Sequence, residues 1–151
     1  MNINYIDFSI RTKSLDIFFS GCNAPYCEDC CNPELIDFNN GKNWKEYLRK
    51  ICSYTTSYNS LVDKFFLVGG SPNHQNSVEM KEFLTWLSKF NKDIYLFARE
   101  ELDNIQPIFK EHCEYIKCGA YIPEFTCEDN IQYGIKLATS NQYIYKRGLN
   151  Y

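Results

Sequence analysis

No stretch of this 151-residue sequence is an apolar run approaching the roughly 18 residues needed to cross a bilayer, so no membrane span is expected. Charge of one sign is also scarce in blocks. The 16 Lys and Arg residues are offset by 19 Asp and Glu, for a net −3, and none of them cluster. A nucleic-acid partner would require a basic patch, and none is written here. The first residues, with Asn2, Asn4 and Asp7, lack a positively charged region followed by an apolar stretch, so no secretory leader is read and a cytoplasmic protein is expected. Repeats, low-complexity tracts and interdomain linkers are missing too, which leaves a single domain over residues 1–151. A complete eight-stranded β/α barrel takes about 250 residues, so the chain can build only part of one.

Against these absences, 44% of the residues are hydrophobic and 17% aromatic, enough for a packed core. Eight cysteines lie at positions 22, 27, 30, 31, 52, 113, 118 and 127, four of them within ten residues. In a reducing compartment a tight group of cysteines points to metal or redox chemistry rather than to disulfides.

The apolar patterns alternate in type. Leu15 to Ser20 reads as a short buried strand ending at Gly21. Trp44, Tyr47, Leu48, Ile51 and Cys52 recur at the spacing of one helical face. Phe65 to Val68 forms a second strand, stopped by Gly69-Gly70-Ser71-Pro72. Asn76 followed by Glu79 resembles a capping box, and Val78, Phe83, Leu84, Leu87 and Phe90 supply the stripe of the next helix. Ile94 to Ala98 is a third strand, followed by a helix near Glu100 that Pro107 must interrupt or restart. Tyr115, Ile116 and Lys117 lead a fourth strand into Cys118-Gly119. This alternation predicts an α/β fold with parallel strands, closed only partway into a barrel. Parallel strands end at one edge, where ligands bind in such folds, so the cysteine loop, the Gly-Gly-Ser-Pro loop, Arg99-Glu100 and Gly119-Ala120 should meet at one site.

Cys22, Cys27 and Cys30 are the expected metal ligands, with four residues in the first gap and two in the second. Three thiolates on one irregular loop can hold a 4Fe-4S cluster and leave one iron open, since full protein ligation takes four. An open iron can chelate the amino and carboxylate groups of S-adenosyl-L-methionine and set its sulfonium beside the cluster. The Gly69-Gly70-Ser71-Pro72 loop, where glycine permits close approach, is expected to offer backbone groups to that zwitterion. Tyr26, Asn32 and Arg99 complete the expected cofactor contacts. The competing reading is a structural zinc site recruiting Cys31, His74, Cys118 or Cys127 as a fourth ligand. Cys31 reads as a packed or supporting thiol, Cys52 as core, and His74 and His112 as ordinary surface or packed imidazoles.

Phe18-Phe19-Ser20-Gly21-Cys22, Cys27-Glu28-Asp29-Cys30 with Asn32-Pro33-Glu34-Leu35, Gly69-Gly70-Ser71-Pro72, Tyr115 to Ile122 and Thr139-Ser140-Asn141-Gln142 occur in an order that resembles a known family. The chain is similar to the radical S-adenosylmethionine superfamily and, within it, to the activating proteins of anaerobic (class III) ribonucleoside-triphosphate reductase. It departs from that pattern in its four-residue first gap, in Ser71 where an acidic residue is common, and in Cys31 where an aromatic or His is common. The resemblance implies a partial β/α barrel of the radical S-adenosylmethionine type and a glycyl-radical-activating oxidoreductase. A reduced cluster would cleave S-adenosyl-L-methionine to methionine and a 5′-deoxyadenosyl radical, which takes hydrogen from a glycine of the large catalytic subunit of the reductase. Flavodoxin or ferredoxin would supply the electron. Asn141 and Gln142 are the expected partner contacts. A radical enzyme acting on another peptide or small molecule, and a non-catalytic zinc module, are the alternatives.

Overall fold

The buried runs become strands because their alternate side chains find one common core. A computed structural model describes residues 1–57 and 60–151. Its elements are β1 (Asn2–Ser9), β2 (Ser14–Phe19), β3 (Lys42–Asn43), α1 (Leu48–Thr56), β4 (Lys64–Gly69), α2 (Ser77–Leu87), β5 (Asp93–Phe97), α3 (Pro107–His112), β6 (Tyr115–Cys118), β7 (Ile131–Gln132), β8 (Ile135–Lys136) and β9 (Tyr143–Lys146).

The main sheet runs β3-β1-β2-β4-β5-β6-β9. Its centre, β2-β4-β5-β6, is parallel, with Phe19 opposite Gly69 and Phe97 opposite Lys117. The α/β expectation therefore holds for the four strands read from the sequence, but the sheet is mixed. β1 and β3 extend one side and β9 closes the other, all three pairing antiparallel.

One sheet face carries Ile3, Leu15, Ile17, Phe19, Phe65, Leu67, Ile94, Leu96 and Ile116, which join Ile51 of α1, Met80, Phe83, Leu84 and Leu87 of α2 and Phe109 of α3 in a single core. Each such side chain contributes roughly 1.5–3 kcal/mol on burial. Phe83 is central, meeting Phe19 and Trp44 edge-on with ring centroids 5.7 and 5.4 Å away. The opposite face carries aromatics in pairs across neighbouring strands: Tyr5 stacks on Phe18 at 4.2 Å, Phe66 leans on Phe97 at 5.0 Å, and Tyr95 stacks on Tyr115 at 4.3 Å. All three helices contribute to the core on the first face, and among the described residues none covers this second one.

Local chemistry explains the helix boundaries. The Asn76 side chain accepts from the amides of Val78 and Glu79, both at 3.1 Å, and so starts α2. Val78, expected on the apolar stripe, is instead 75% exposed, because the N-terminal turn lies at the surface and Met80 takes the buried place. Pro107 restarts rather than interrupts: a short helical turn at Leu102–Asn104 precedes α3, and Pro107 is the first residue of α3, where a missing amide costs nothing. Cys52, expected in the core, is only half-buried, since Ile51 and Thr55 form the inward side of α1.

Candidate functional site

The cysteine loop is tied at its base before any cysteine is placed. Beyond β2, the amides of Gly21 and Cys22 donate to the carbonyls of Leu35 and Ile36 at 2.7 and 3.0 Å, closing residues 22–35 into a loop anchored by the fully buried Leu35. The loop after β4 is laced to the same base. Gly70 donates to Phe19 at 2.9 Å and Ser71 to Gly21 at 2.8 Å, while Gln75 reaches the Ser20 carbonyl at 3.0 Å. The glycine loop thus uses the amides of Gly70 and Ser71 internally. Of the backbone groups expected to face a ligand, these two amides are spent on the cysteine loop itself, which is where the glycines permit close approach.

Cys22, Cys27, Cys30 and Cys31 line one cavity of about 590 Å³, together with Gly69 at the end of β4, Gly70 and Ser71 just beyond it, Arg99 after β5 and Lys117 on β6. Of the four loops expected to converge, the cysteine loop, the glycine loop and Arg99 do so; Glu100, Gly119 and Ala120 do not line the cavity, although Lys117 and Tyr121 on either side of that last turn do. Tyr26 and Asn32 also line this cavity, as does Gln142 from the C-terminal segment. Pro72 does not; it is buried and begins the helical turn Pro72–His74. Asn141 is exposed and donates to Ala120 at 2.9 Å. Gln142 is buried, its Oε1 accepting from Ala138 at 3.1 Å, so most of its amide holds its own segment together.

Burial raises the Cys22 thiol above its ordinary range, while the nearby Arg99 guanidinium pulls it back. Burial also lowers the Lys117 ammonium to about 8, although its Nζ donates to Gly119 at 2.6 Å. Of the two readings for Cys31, packed or supporting thiol, the packed one fails: it is exposed, and its Sγ accepts from Asn32 Nδ2 at 3.3 Å. Away from the loop, burial drives Cys118 up to about 12 and Cys113 higher still. At pH 8 a thiol with a pKa near 12 is roughly one part in ten thousand thiolate, the reactive form. Iodoacetamide added to the metal-free protein at pH 8 should therefore label Cys31 first and leave Cys113 and Cys118 unmodified, as read by peptide mass mapping. Early labelling of Cys118 would contradict its burial.

The family model described as a 4Fe-4S single cluster domain matches residues 11–122, a span that contains the whole cysteine loop and β2, β4, β5 and β6. The chain belongs to the 4Fe-4S single cluster domain family. A search of curated proteins gave no match.

The residues present fit the cluster of this family. All eight cysteines are free, and the four in the loop share the cavity, Cys22, Cys27 and Cys30 at the spacing read from the sequence. Among the described residues, no three His, Cys, Asp or Glu side chains gather round a point that one ion could occupy. A 4Fe-4S cluster spreads its thiolates over separate irons and needs only a loop that surrounds it. Cys22, Cys27 and Cys30 are the residues that would hold it.

His74 also proves to belong to the site, although its sequence gives it no catalytic mark. Its Nδ1 accepts from the Asn23 amide at 2.9 Å, and its Nε2 lies 2.8 Å from Glu100 Oε1. The available signal was positional: His74 follows the Gly-Gly-Ser-Pro turn, at the same sheet edge as the cysteines.

Proposed function

We propose that this iron–sulfur protein is a radical S-adenosylmethionine enzyme that activates a glycyl-radical protein, the large catalytic subunit of anaerobic ribonucleoside-triphosphate reductase. The observation supporting this reading is the sharing of one cavity by three cysteines and the ends of three neighbouring parallel strands. The helix-free aromatic face of the sheet then serves as the inner wall of a partial β/α barrel. When bound, the 4Fe-4S cluster supplies the electron that cleaves S-adenosyl-L-methionine to methionine and the hydrogen-abstracting 5′-deoxyadenosyl radical.

The chain's own residues bind, orient and exclude water. Cys22, Cys27 and Cys30 would hold the cluster, and a three-thiolate set would leave it able to take the amino and carboxylate groups of the cosubstrate. Gly69 and Gly70 let the strand end pack directly on the base of the cysteine loop and so hold that loop beside the cavity, and Ser71 and Asn32 supply polar groups at the wall. Pro72 fixes the turn behind them. Tyr26 gives an aromatic surface for the adenine, and Arg99 and Lys117 give the cavity positive charge against a carboxylate and thiolates. The reductase glycine enters from the open side near Asn141 and Gln142, and a flavodoxin or ferredoxin delivers the electron in the cytoplasm.

The test is anaerobic reconstitution with iron and sulfide, followed by electron paramagnetic resonance of the reduced protein. Adding S-adenosyl-L-methionine should change the cluster signal, and adding the large reductase subunit should then yield a glycyl radical signal on that subunit. An unchanged cluster signal would overturn the open-iron reading. Cosubstrate cleavage with no glycyl radical would reject the reductase as substrate.

A further inference from the structure

The three ligand cysteines sit on a loop whose first segment, between Cys22 and Cys27, is gripped from outside the loop. Arg99, two residues past the end of β5, donates through Nη2 to the Asn23 carbonyl at 2.7 Å and through Nη1 to the Pro25 carbonyl. The same Nη1 lies 4.0 Å from Cys27 Sγ. Glu100 Oε1 takes Arg99 Nε at 3.2 Å and His74 Nε2 at 2.8 Å. His74 closes the circuit by accepting the Asn23 amide on Nδ1 at 2.9 Å. A backbone amide can only donate, so Nδ1 carries no proton and Nε2 is the ring nitrogen that donates to Glu100. The three side chains are 13–20% exposed, which makes this a desolvated network rather than a surface ion pair.

We propose that Arg99, Glu100 and His74 form a clamp that positions the loop between Cys22 and Cys27 and sets the reduction potential of the cluster the loop holds. The inference rests on the cluster assignment but not on the S-adenosylmethionine chemistry. Two effects combine. Three bonds to the backbone of Asn23 and Pro25 fix the segment linking the first two ligands, which carries the long four-residue gap. The guanidinium beside Cys27 Sγ stabilises negative charge on the thiolate, and one-electron reduction adds negative charge to the cluster, so Arg99 favours the reduced state. Glu100 orients Arg99 and opposes its charge. All three are positioning residues, since none is a ligand.

Opposite signs of effect distinguish this from a merely structural role. In reconstituted protein, Arg99→Met should shift the cluster's reduction equilibrium toward the oxidised form by about tenfold, ~59 mV for one electron. Glu100→Gln, of the same shape, should shift it toward the reduced form. Arg99→Lys keeps the charge without the paired carbonyl bonds, so its potential should stay near the parent value. Hydrogen exchange in metal-free protein reads the positioning part directly. The Asn23 amide should exchange about fivefold faster or more in His74→Ala, the loss of one hydrogen bond. His74→Asn, whose amide oxygen falls where Nδ1 stood, should restore protection.

Equal potentials in Arg99→Met and the parent, or shifts of the same sign in Arg99→Met and Glu100→Gln, would overturn the electrostatic part. An Asn23 amide unchanged in His74→Ala would overturn the positioning part. If Arg99→Met fails to hold iron, Arg99→Lys and the exchange measurement still decide. A parent protein that takes up no iron would instead refute the cluster assignment itself.

Discussion

Replacing Cys22, Cys27 or Cys30 with Ala should each reduce iron bound after anaerobic reconstitution to background. A cluster already held by three thiolates has none to lose, and even residues that only support metal ligands cost about 10–100-fold when changed. The loss at a ligand should be at the upper end of that range or beyond it. Cys31→Ala is the sharper control, because Cys31 adjoins Cys30 and lines the same cavity. It is exposed and partnered by Asn32, so its removal should leave iron content near the parent value. Cys52→Ala, in α1 and outside the cavity lining, should do the same. Folding must be shown to survive by circular dichroism, which is expected: Cys22 is the most buried of the three ligands, yet its thiol is small. Loss at Cys31 equal to that at Cys30 would show that the ligand set is misassigned.

The parts of the fold that were legible are those where burial leaves a continuous apolar run. Phe65 to Val68 and Ile94 to Ala98 are flanked on both sides by other strands, so their sequences carry the signal of a buried strand without help. β1 gives no such signal. Asn2, Asn4 and Asp7 are poor strand formers, and the register shifts between Ile3 and Tyr5, so Ile3 and Ile6 both face the core instead of alternating. β9 is only four residues long, with one fully buried residue, Ile144. A run that short cannot be distinguished from a loop by period. Within the site, the cysteine spacing and the order of strand ends bring the cavity wall together on paper. The clamp does not show in the same way, because Arg99, Glu100 and His74 gain their meaning from where their side chains end. Two are adjacent in sequence and the third lies 25 positions away, a separation that carries no periodic or motif signal. Gln142 presents the converse case: its place in a recognisable segment suggested an outward role, while its buried amide binds Ala138.

Gly70→Ala should be strongly destabilising while adding a single methyl group. A Cβ at Gly70 would stand 2.6 Å from both the Gly21 and Leu35 carbonyl oxygens and 2.9 Å from the Gly21 amide nitrogen. All three are backbone atoms, so no side-chain rotation relieves the clash. Nor can Gly21 retreat freely: its carbonyl accepts from Ser71 at 2.8 Å and its amide donates to Leu35 at 2.7 Å. The methyl must break these bonds or push the base of the cysteine loop outward. Overpacking of this kind costs about 3 kcal/mol, and in a domain of this size lowers the melting temperature by roughly 6–12 °C. The displaced base carries Cys22 directly, so iron retention should fall about tenfold or more as well. Gly134→Ala separates this from a general intolerance of alanine. Gly134 has a φ of +75° in the turn between β7 and β8, and a Cβ there meets nothing within 4 Å. Its cost should be about 1 kcal/mol, from backbone strain alone, with iron content unchanged. Thermal unfolding and iron-to-protein ratios on the two variants check both halves. A Gly70→Ala protein as stable as Gly134→Ala and fully loaded with iron would show that the glycine loop does not set the position of the cysteine loop.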